Sequence, residues 1–320
     1  MRNAGLFDLQ VNGFAGVDFN STAITADSLD HALDAMARTG VTRCLPTVIT
    51  APEAVLGDRL AALDRAVATS RLGPGMVPGY HLEGPFLSPE DGYAGCHPPT
   101  AMVAPDHTLV ERVEAGLARP ILLLTVAPER PGATALIRWA RARGKVVALG
   151  HTAASFADIA AAVEAGATLS THLGNGLRRM LPKFDNPMIA QLAEDRLSAS
   201  FIADGIHIPP AALKVLLRAK GLERSILVSD ATAAAAAPAG RYELAGMAIE
   251  RGADGAVRLP GSVTLAGSSL TLDQAMRNLV DWGLASPEAA MRMASKNPAA
   301  LMASSPLPLC GRGRRAQRGG

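Results

Sequence analysis

The segment KVVALGHTAASFADIAAAVEAGATLSTHLGN, residues 145–175, shows the chain's repeating unit once. Lys145–Leu149 is a short apolar run and reads as a strand. His151 follows it directly. Phe156–Ala165 reads as a helix, and Thr168–Thr171 as a second strand with His172 directly behind it. Strand, helix and strand in this order form a βαβ unit, whose strands run parallel. The two imidazoles therefore sit at equivalent strand ends, with one polarity.

The same alternation extends outward in both directions. Upstream strands are expected at Leu6–Val11, Val41–Ile49, Met76–Leu82 and Pro120–Val126. The helices between them are Asp27–Arg38, Pro52–Thr69, Asp106–Gly116 and Gly132–Arg143. In the first of these, Asp27 can cap, Leu29, Leu33 and Met36 recur at helical spacing, and Gly40 stops the helix. Downstream come strands Leu197–Ile202 and Ser225–Val228, with helices Pro187–Glu194 and Pro209–Lys220. Eight strands separated by helices predict the α/β class and a (β/α)8 TIM-like barrel. An open doubly wound sheet is the alternative, but no GxGxxG follows the first strand.

Residues 231–268 interrupt the pattern, with β-like pieces at Arg241–Leu244 and Ala256–Leu259. They read as an ordered insertion on the substrate side, before a closing helix at Leu270–Trp282. The expected organisation is one barrel domain over residues 1–303. Residues 304–320, SSPLPLCGRGRRAQRGG, have no periodicity and read as a disordered tail.

Composition narrows the classes. The 320 residues are 48% hydrophobic and 19% charged, ordinary for a globular protein with a sizeable core. The net charge is +2, and the 4% of aromatics do not interleave with basic residues, so no nucleic-acid partner is expected. Cys44, Cys96 and Cys310 lie far apart without a CxxC, which fits neither a disulfide framework nor a zinc ribbon. The start carries no secretory pattern, and the longest apolar stretch, Ile121–Ala127, is too short to cross a bilayer. No membrane partner and a cytoplasmic location are expected.

The strand ends carry the chemistry. Glu83 follows the third strand in HLEGPF, and His151 and His172 follow the fifth and sixth. His207 follows the seventh in ADGIH, and Asp230 ends the eighth in LVSDA. In a parallel barrel these ends converge on one face, where such barrels place their active sites. One carboxylate and two imidazoles leave a metal with an open coordination position. Water there ionises near neutral pH, and the metal polarises a carbonyl. Asp230, outside such a ligand set, can take the water's proton and pass it to a leaving amine. Amide hydrolysis is the natural reaction class. Singly, each residue has a plainer reading: a strand-end histidine as a polar core residue, Asp230 as a cap, Glu83 as a loop carboxylate. Their shared polarity decides against those readings. His81 lies on the same strand face as Glu83 and suits a supporting role. His31 and His107 sit on predicted helices away from the site. Cys96 beside His97 does not by adjacency make an activated thiolate.

Seven segments taken together resemble the N-acetylglucosamine-6-phosphate deacetylase family of the amidohydrolase superfamily, from Gly5 to about Met302. They are FDLQVNG (7–13), HLEGPF (81–86), GHT (150–152), THLGN (171–175), ADGIH (203–207), VSDA (228–231) and LAGSSLTLDQAMRNLV (265–280). The resemblance implies one divalent metal, Zn2+, held by Glu83, His151 and His172, with Asp230 as catalytic acid/base. It implies substrate contacts from Cys96, His97, Asn175, Gly176, Asp204, Gly205, Ile206 and His207, with Leu265, Ala266 and Gly267 lining the pocket. It also implies release of acetate from N-acetylglucosamine-6-phosphate in amino-sugar catabolism, by a homodimer. Many amidohydrolases carry HxH at the first strand, where this chain has Gln10 and Asn12. Amides ligate divalent metals more weakly than imidazoles, so a single metal is expected.

Three departures from the family pattern stand out. THLGNGLRRM (171–180) has Gly174 and Gly176 where the family carries an aromatic and Ala, which is expected to open the pocket wall. In LPKFDNPM (181–188), Lys183 stands nearest to the family's phosphate-binding Arg, with Arg178 and Arg179 as other candidates. Lysine holds phosphate as a point charge, without arginine's bidentate fork. Both ends look short, as in a truncated product, so the family's accessory β-sandwich is expected to be largely missing and apolar barrel surface exposed. The alternatives are an amidohydrolase of an unphosphorylated or epimeric N-acyl sugar or a cyclic amide, and an inactive remnant.

Overall fold

Residues 5–304 are described by a computed structural model of the chain. Eight parallel strands follow one another in space as in sequence. They are β1 (Leu6–Val11), β2 (Val41–Ile49), β3 (Tyr80–Glu83), β4 (Ile121–Val126), β5 (Val146–Leu149), β6 (Leu169–Ser170), β7 (Ser198–Phe201) and β8 (Ser225–Leu227). Their registers place His81 beside Thr47 and Glu83 beside Thr125. β1 and β4 are buried along their whole length; β4 accordingly reads as a near-continuous apolar run, while β1 also buries Asp8 and Gln10. The sheet closes on itself: Asp230 N donates to the Gln10 carbonyl at 2.9 Å and Asn12 N to the Ala231 carbonyl at 2.7 Å. The fold is a (β/α)8 barrel, and the open-sheet alternative is excluded.

The local departures have local causes. The first helix, Ala26–Arg38, is capped by Thr25 and not Asp27. Thr25 and Ser28 exchange bonds in a capping box, and Asp27 sits in the first turn, where its charge suits the helix dipole. The third strand begins at Tyr80, four residues later than expected from Met76, because Gly73–Met76 forms a helical turn. Pro74 favours that turn, and Pro78 cannot donate to a ladder.

The insertion forms an antiparallel sheet of β9 (Gly240–Leu244), β10 (Met247–Arg251) and β11 (Val257–Arg258). β10 was not anticipated. The turn before it has φ of 53° at Ala245 and 78° at Gly246, the backbone of a two-residue hairpin turn. Alanine at its first position hides the Asn-Gly signal such turns usually carry. The helix Pro287–Ala294 likewise adds to the expected elements, although Ser286 as cap and Pro287 at the first position announce it.

Among the described residues there is no accessory β-sandwich. The tail expected over residues 304–320 lies outside them beyond Ser304. The expected apolar exposure is not at the described chain ends: Met180 is 86% and Phe184 77% exposed, both on the loop after β6. No helix among the described residues is long and apolar enough to cross a membrane.

His81 is fully buried, its Nε2 2.8 Å from Thr125 Oγ1 and its Nδ1 3.3 Å from Thr47 Oγ1. Burial pushes its imidazole from 6.5 down to about 4. Between those values the unfolded chain binds a proton that the folded chain does not, so stability falls as pH drops through this window. The shift corresponds to about 3 kcal/mol. His81→Gln is therefore expected to flatten the decline of the thermal midpoint between pH 6.5 and 4. An unchanged slope in calorimetry would place the acid sensitivity elsewhere.

Candidate active site

The carboxyl ends of the strands surround a cavity of about 770 Å³. Glu83, His151, His172 and Asp230 all line it. Three of these four leave their strands in the left-handed region, with φ of 49° at His151, 28° at His172 and 48° at Asp230. Non-glycine residues are costly there and collect at functional sites, where the surrounding structure imposes the conformation.

Glu83, His151 and His172 aim their polar atoms at one place. His172 Nε2 lies 3.0 Å from Glu83 Oε1, and His151 Nε2 lies 3.5 Å from the same oxygen. The two ring nitrogens are 3.2 Å apart. His151 Nδ1 faces the Tyr93 carbonyl at 2.8 Å. A carbonyl only accepts, so Nδ1 carries the proton and Nε2 presents its lone pair. Glu83 Oε2 accepts a bond from Gln10 Nε2 at 3.1 Å. One carboxylate and two imidazoles converging in a buried pocket fit a divalent cation that takes N and O donors. Burial opposes the charge on Glu83, yet the imidazoles of His151 and His172 gathered around it hold its carboxyl well below the usual range.

A third imidazole stands close by. His97 is 4% exposed, with Nε2 3.8 Å from Glu83 Oε2 and Nδ1 2.9 Å from Thr50 Oγ1. Glu83, His97 and His151 each offer a ligand atom within 4.8 Å of the others. His97 thus borders both the donor cluster and the cavity. Burial, with His151 beside it, pushes its imidazole down to about 3.

Asp230 Oδ1 accepts a bond from Asn12 Nδ2 at 2.8 Å. Burial raises its carboxyl from 3.8 to about 6, against the pull of His172. The two first-strand amides are thereby committed: Gln10 to Glu83, Asn12 to Asp230.

The remaining candidates divide. Cys96, His97, Asn175, Gly176, His207, Leu265 and Gly267 line the cavity. Asp204, Gly205, Ile206, Lys183 and Ala266 do not. Asp204 instead holds His207, with Oδ2 2.6 Å from its Nδ1 and Oδ1 accepting from the Ile206 and His207 backbone at 2.8 Å each. Ala266 is buried in a small core with Ile49 and Leu244. Lys183 is exposed on the loop after β6.

Of the cationic candidates on that loop, Arg179 faces the cavity. Arg178 is turned aside: it donates to the Asp91 carbonyl and to Glu90 Oε2, both at 2.8 Å, and lies over the Tyr93 ring. The expectation that Gly174 and Gly176 simply open the wall needs correction. A Cβ on Gly176 would lie 2.7 Å from His151 Nδ1, so this glycine lets the loop press against the histidine. Gly174 has φ of 102° and faces Ile208, where the conformation itself demands glycine. The Tyr93 carbonyl was not foreseen, since a main-chain acceptor leaves no mark on residue type.

The Amidohydrolase family model matches residues 3–305. An N-acetylgalactosamine-6-phosphate deacetylase of Escherichia coli O157:H7 is 36% identical over 297 residues, 92% of this chain and 76% of the relative. An N-acetylglucosamine-6-phosphate deacetylase of Bos taurus is 35% identical, covering 93% and 73%. The crystal structure of N-acetyl-D-glucosamine-6-phosphate deacetylase from Mycobacterium smegmatis superposes with a TM-score of 0.85 at 32% identity, over 94% of this chain and 78% of that one. The chain spans about three quarters of each of these three proteins. With a closed barrel, the strand-end donor cluster and these likenesses over nearly its whole length, the chain belongs to the amidohydrolase family.

Proposed function

We propose that the chain removes the acetyl group of N-acetylglucosamine-6-phosphate, giving glucosamine-6-phosphate and acetate, in amino-sugar catabolism. The observation that carries this reading is that Asp230, held by Asn12, opens into the same cavity as the convergent donors of Glu83, His151 and His172. The names of the relatives supply the substrate class.

In this reading Glu83, His151 and His172 hold one Zn2+. When bound, the cation polarises the acetamido carbonyl and acidifies water at the site. Asp230 accepts the water's proton as the oxygen bonds to the carbonyl carbon. It then delivers that proton to the amine nitrogen as the C–N bond breaks, and acetate leaves. Gln10 holds Glu83 and Asn12 holds Asp230, and these amides are weaker ligands than imidazoles for a second cation at the first strand. Cys96, His97, Asn175, Gly176 and His207 contact the sugar, and Leu265 and Gly267 close the pocket. The working unit is proposed as a cytoplasmic homodimer, to which the apolar side chains of Met180 and Phe184, exposed on the loop after β6, lend support.

Arg179 is the proposed phosphate contact, because it is the cation of its loop that lines the cavity. A charge-assisted bond contributes about 1.5–3 kcal/mol, so Arg179→Ala is expected to raise KM for the phosphorylated sugar by about tenfold or more. KM for the unphosphorylated sugar should stay put. An unchanged KM for the phosphorylated sugar would place its phosphate elsewhere. The galacto epimer is a second reading, favoured by the name of the E. coli relative. Acetate release from both 6-phosphates and both free N-acetyl sugars tests the function. Turnover of the gluco 6-phosphate well above the others supports the proposal. Turnover confined to unphosphorylated sugars would overturn it.

A further inference from the structure

The seam where the barrel closes holds a buried carboxylate that the chemistry above does not use. Asp8, on β1, is 1% exposed. Its hydrogen-bond partners among the described residues are all neutral: Ser229 Oγ at 2.5 Å, Ser229 N at 3.2 Å and Gln10 N at 3.3 Å. Such a carboxylate is a poor stabilising device. Desolvation without a cation is costly, and burial pushes Asp8 up to about 7. An apolar residue would fill the place at less cost.

What the bonds grip is more informative. Between β8 and β1 the barrel is joined by few backbone bonds. Asp8 bridges that seam and seizes the residue before Asp230. Ser229 Oγ in turn accepts from Ala231 N at 3.1 Å, and the Ser229 carbonyl accepts from Ser268 Oγ at 2.6 Å. Asp230 itself is tied by its N to Gln10 and by its carbonyl to Ser268 N. These bonds straddle a residue at φ 48° whose carboxyl meets Asn12 in the cavity. Released, the turn would relax toward commoner backbone angles and carry the carboxyl away.

We infer that Asp8 is a positioning residue for the hydrolysis, locking through Ser229 the turn that aims Asp230 into the cavity. The inference rests on the proposed role of Asp230. Asp8 touches no reacting atom, so its removal should act on turnover and spare binding.

The test compares Asp8→Ala, Asp8→Asn and Ser229→Ala with the wild type, measuring kcat, KM, metal content and thermal midpoint. Misplacing a catalytic group by about 1 Å costs about a hundredfold, which is the expected fall in kcat for Asp8→Ala, with KM and metal content kept. Asp8→Asn should recover about tenfold of that loss, because its amide oxygen still accepts from the backbone and Ser229 Oγ can turn to the Gln10 carbonyl, 3.3 Å away. Ser229→Ala removes the same link by a milder change. It decides the matter if Asp8→Ala does not fold, with a kcat loss of about tenfold expected and an unaltered kcat contradicting. A lowered thermal midpoint with unchanged kcat, or equal losses in Asp8→Asn and Asp8→Ala, would overturn the inference. Should the wild type release no acetate, the proposed function fails. Crystal structures of wild type and Asp8→Ala then still decide: Asp230 parted from Asn12 supports positioning, and an unmoved Asp230 refutes it.

Discussion

Asp230→Asn is expected to lower kcat by about a thousandfold or more, with metal content near that of the wild type. General acid–base catalysis contributes about 10²–10⁴ in rate, and in the proposed mechanism Asp230 serves in both halves of the reaction. Asparagine keeps the volume and can still accept from Asn12, so the turn and the donor cluster should survive. It has no basic lone pair with which to take a proton. The pH profile adds an independent check. Burial raises the Asp230 carboxyl to about 6, so its basic form is lost as pH falls through that value, and a bound cation nearby moves the loss lower. Turnover of the wild type should therefore decline on the acid side, at or below pH 6. Asp230→Asn should lack that limb, since it no longer carries the titrating group. Turnover close to wild type in the variant would remove Asp230 from the chemistry.

His172→Ala is expected to lose the metal, and hydrolysis with it. His172 Nε2 is the donor nearest to Glu83, at 3.0 Å, and its backbone N is pinned by Ser200 Oγ at 2.7 Å. Removing a group that merely orients a ligand costs about 10–100-fold in affinity, so removing a ligand should exceed about a hundredfold. The variant also leaves Glu83 with less compensation for its burial, so the thermal midpoint should fall. Elemental analysis after dialysis, beside acetate release, reads both effects. His97 makes this test discriminating. It stands near Glu83 and His151, and full metal retention in His172→Ala would mean that Glu83, His97 and His151 form the set instead.

The barrel was legible because it depends on features written in residue type. Buried strands such as Ile121–Val126 are apolar runs broken at most by a threonine, and helices such as Phe156–Ala165 alternate with them. The convergence of Glu83, His151, His172 and Asp230 followed from parallel topology alone, since it requires only strand ends and one polarity. What stayed hidden depends on backbone geometry. The hairpin at Ala245–Gly246 lacks a turn signature, and the Tyr93 carbonyl that orients His151 could have belonged to any residue. The loop after β6 was read by position, which pointed to Lys183. The structure turns Arg179 toward the cavity and engages Arg178 with Glu90 and Asp91. Asp204 shows the same limit: the family resemblance implies a sugar contact, but its carboxylate faces His207.

The proposed hydrolysis of an N-acetyl amino-sugar phosphate depends on a cation held by the donor cluster. Its most direct measurement is acetate release from N-acetylglucosamine-6-phosphate by the full chain as purified, after chelation, and after Zn2+ is restored. The expected result is turnover by protein carrying about one metal per chain, loss on chelation and recovery with about one equivalent of Zn2+. Undiminished turnover by the metal-free protein, or no acetate from the fully loaded one, would contradict the claim.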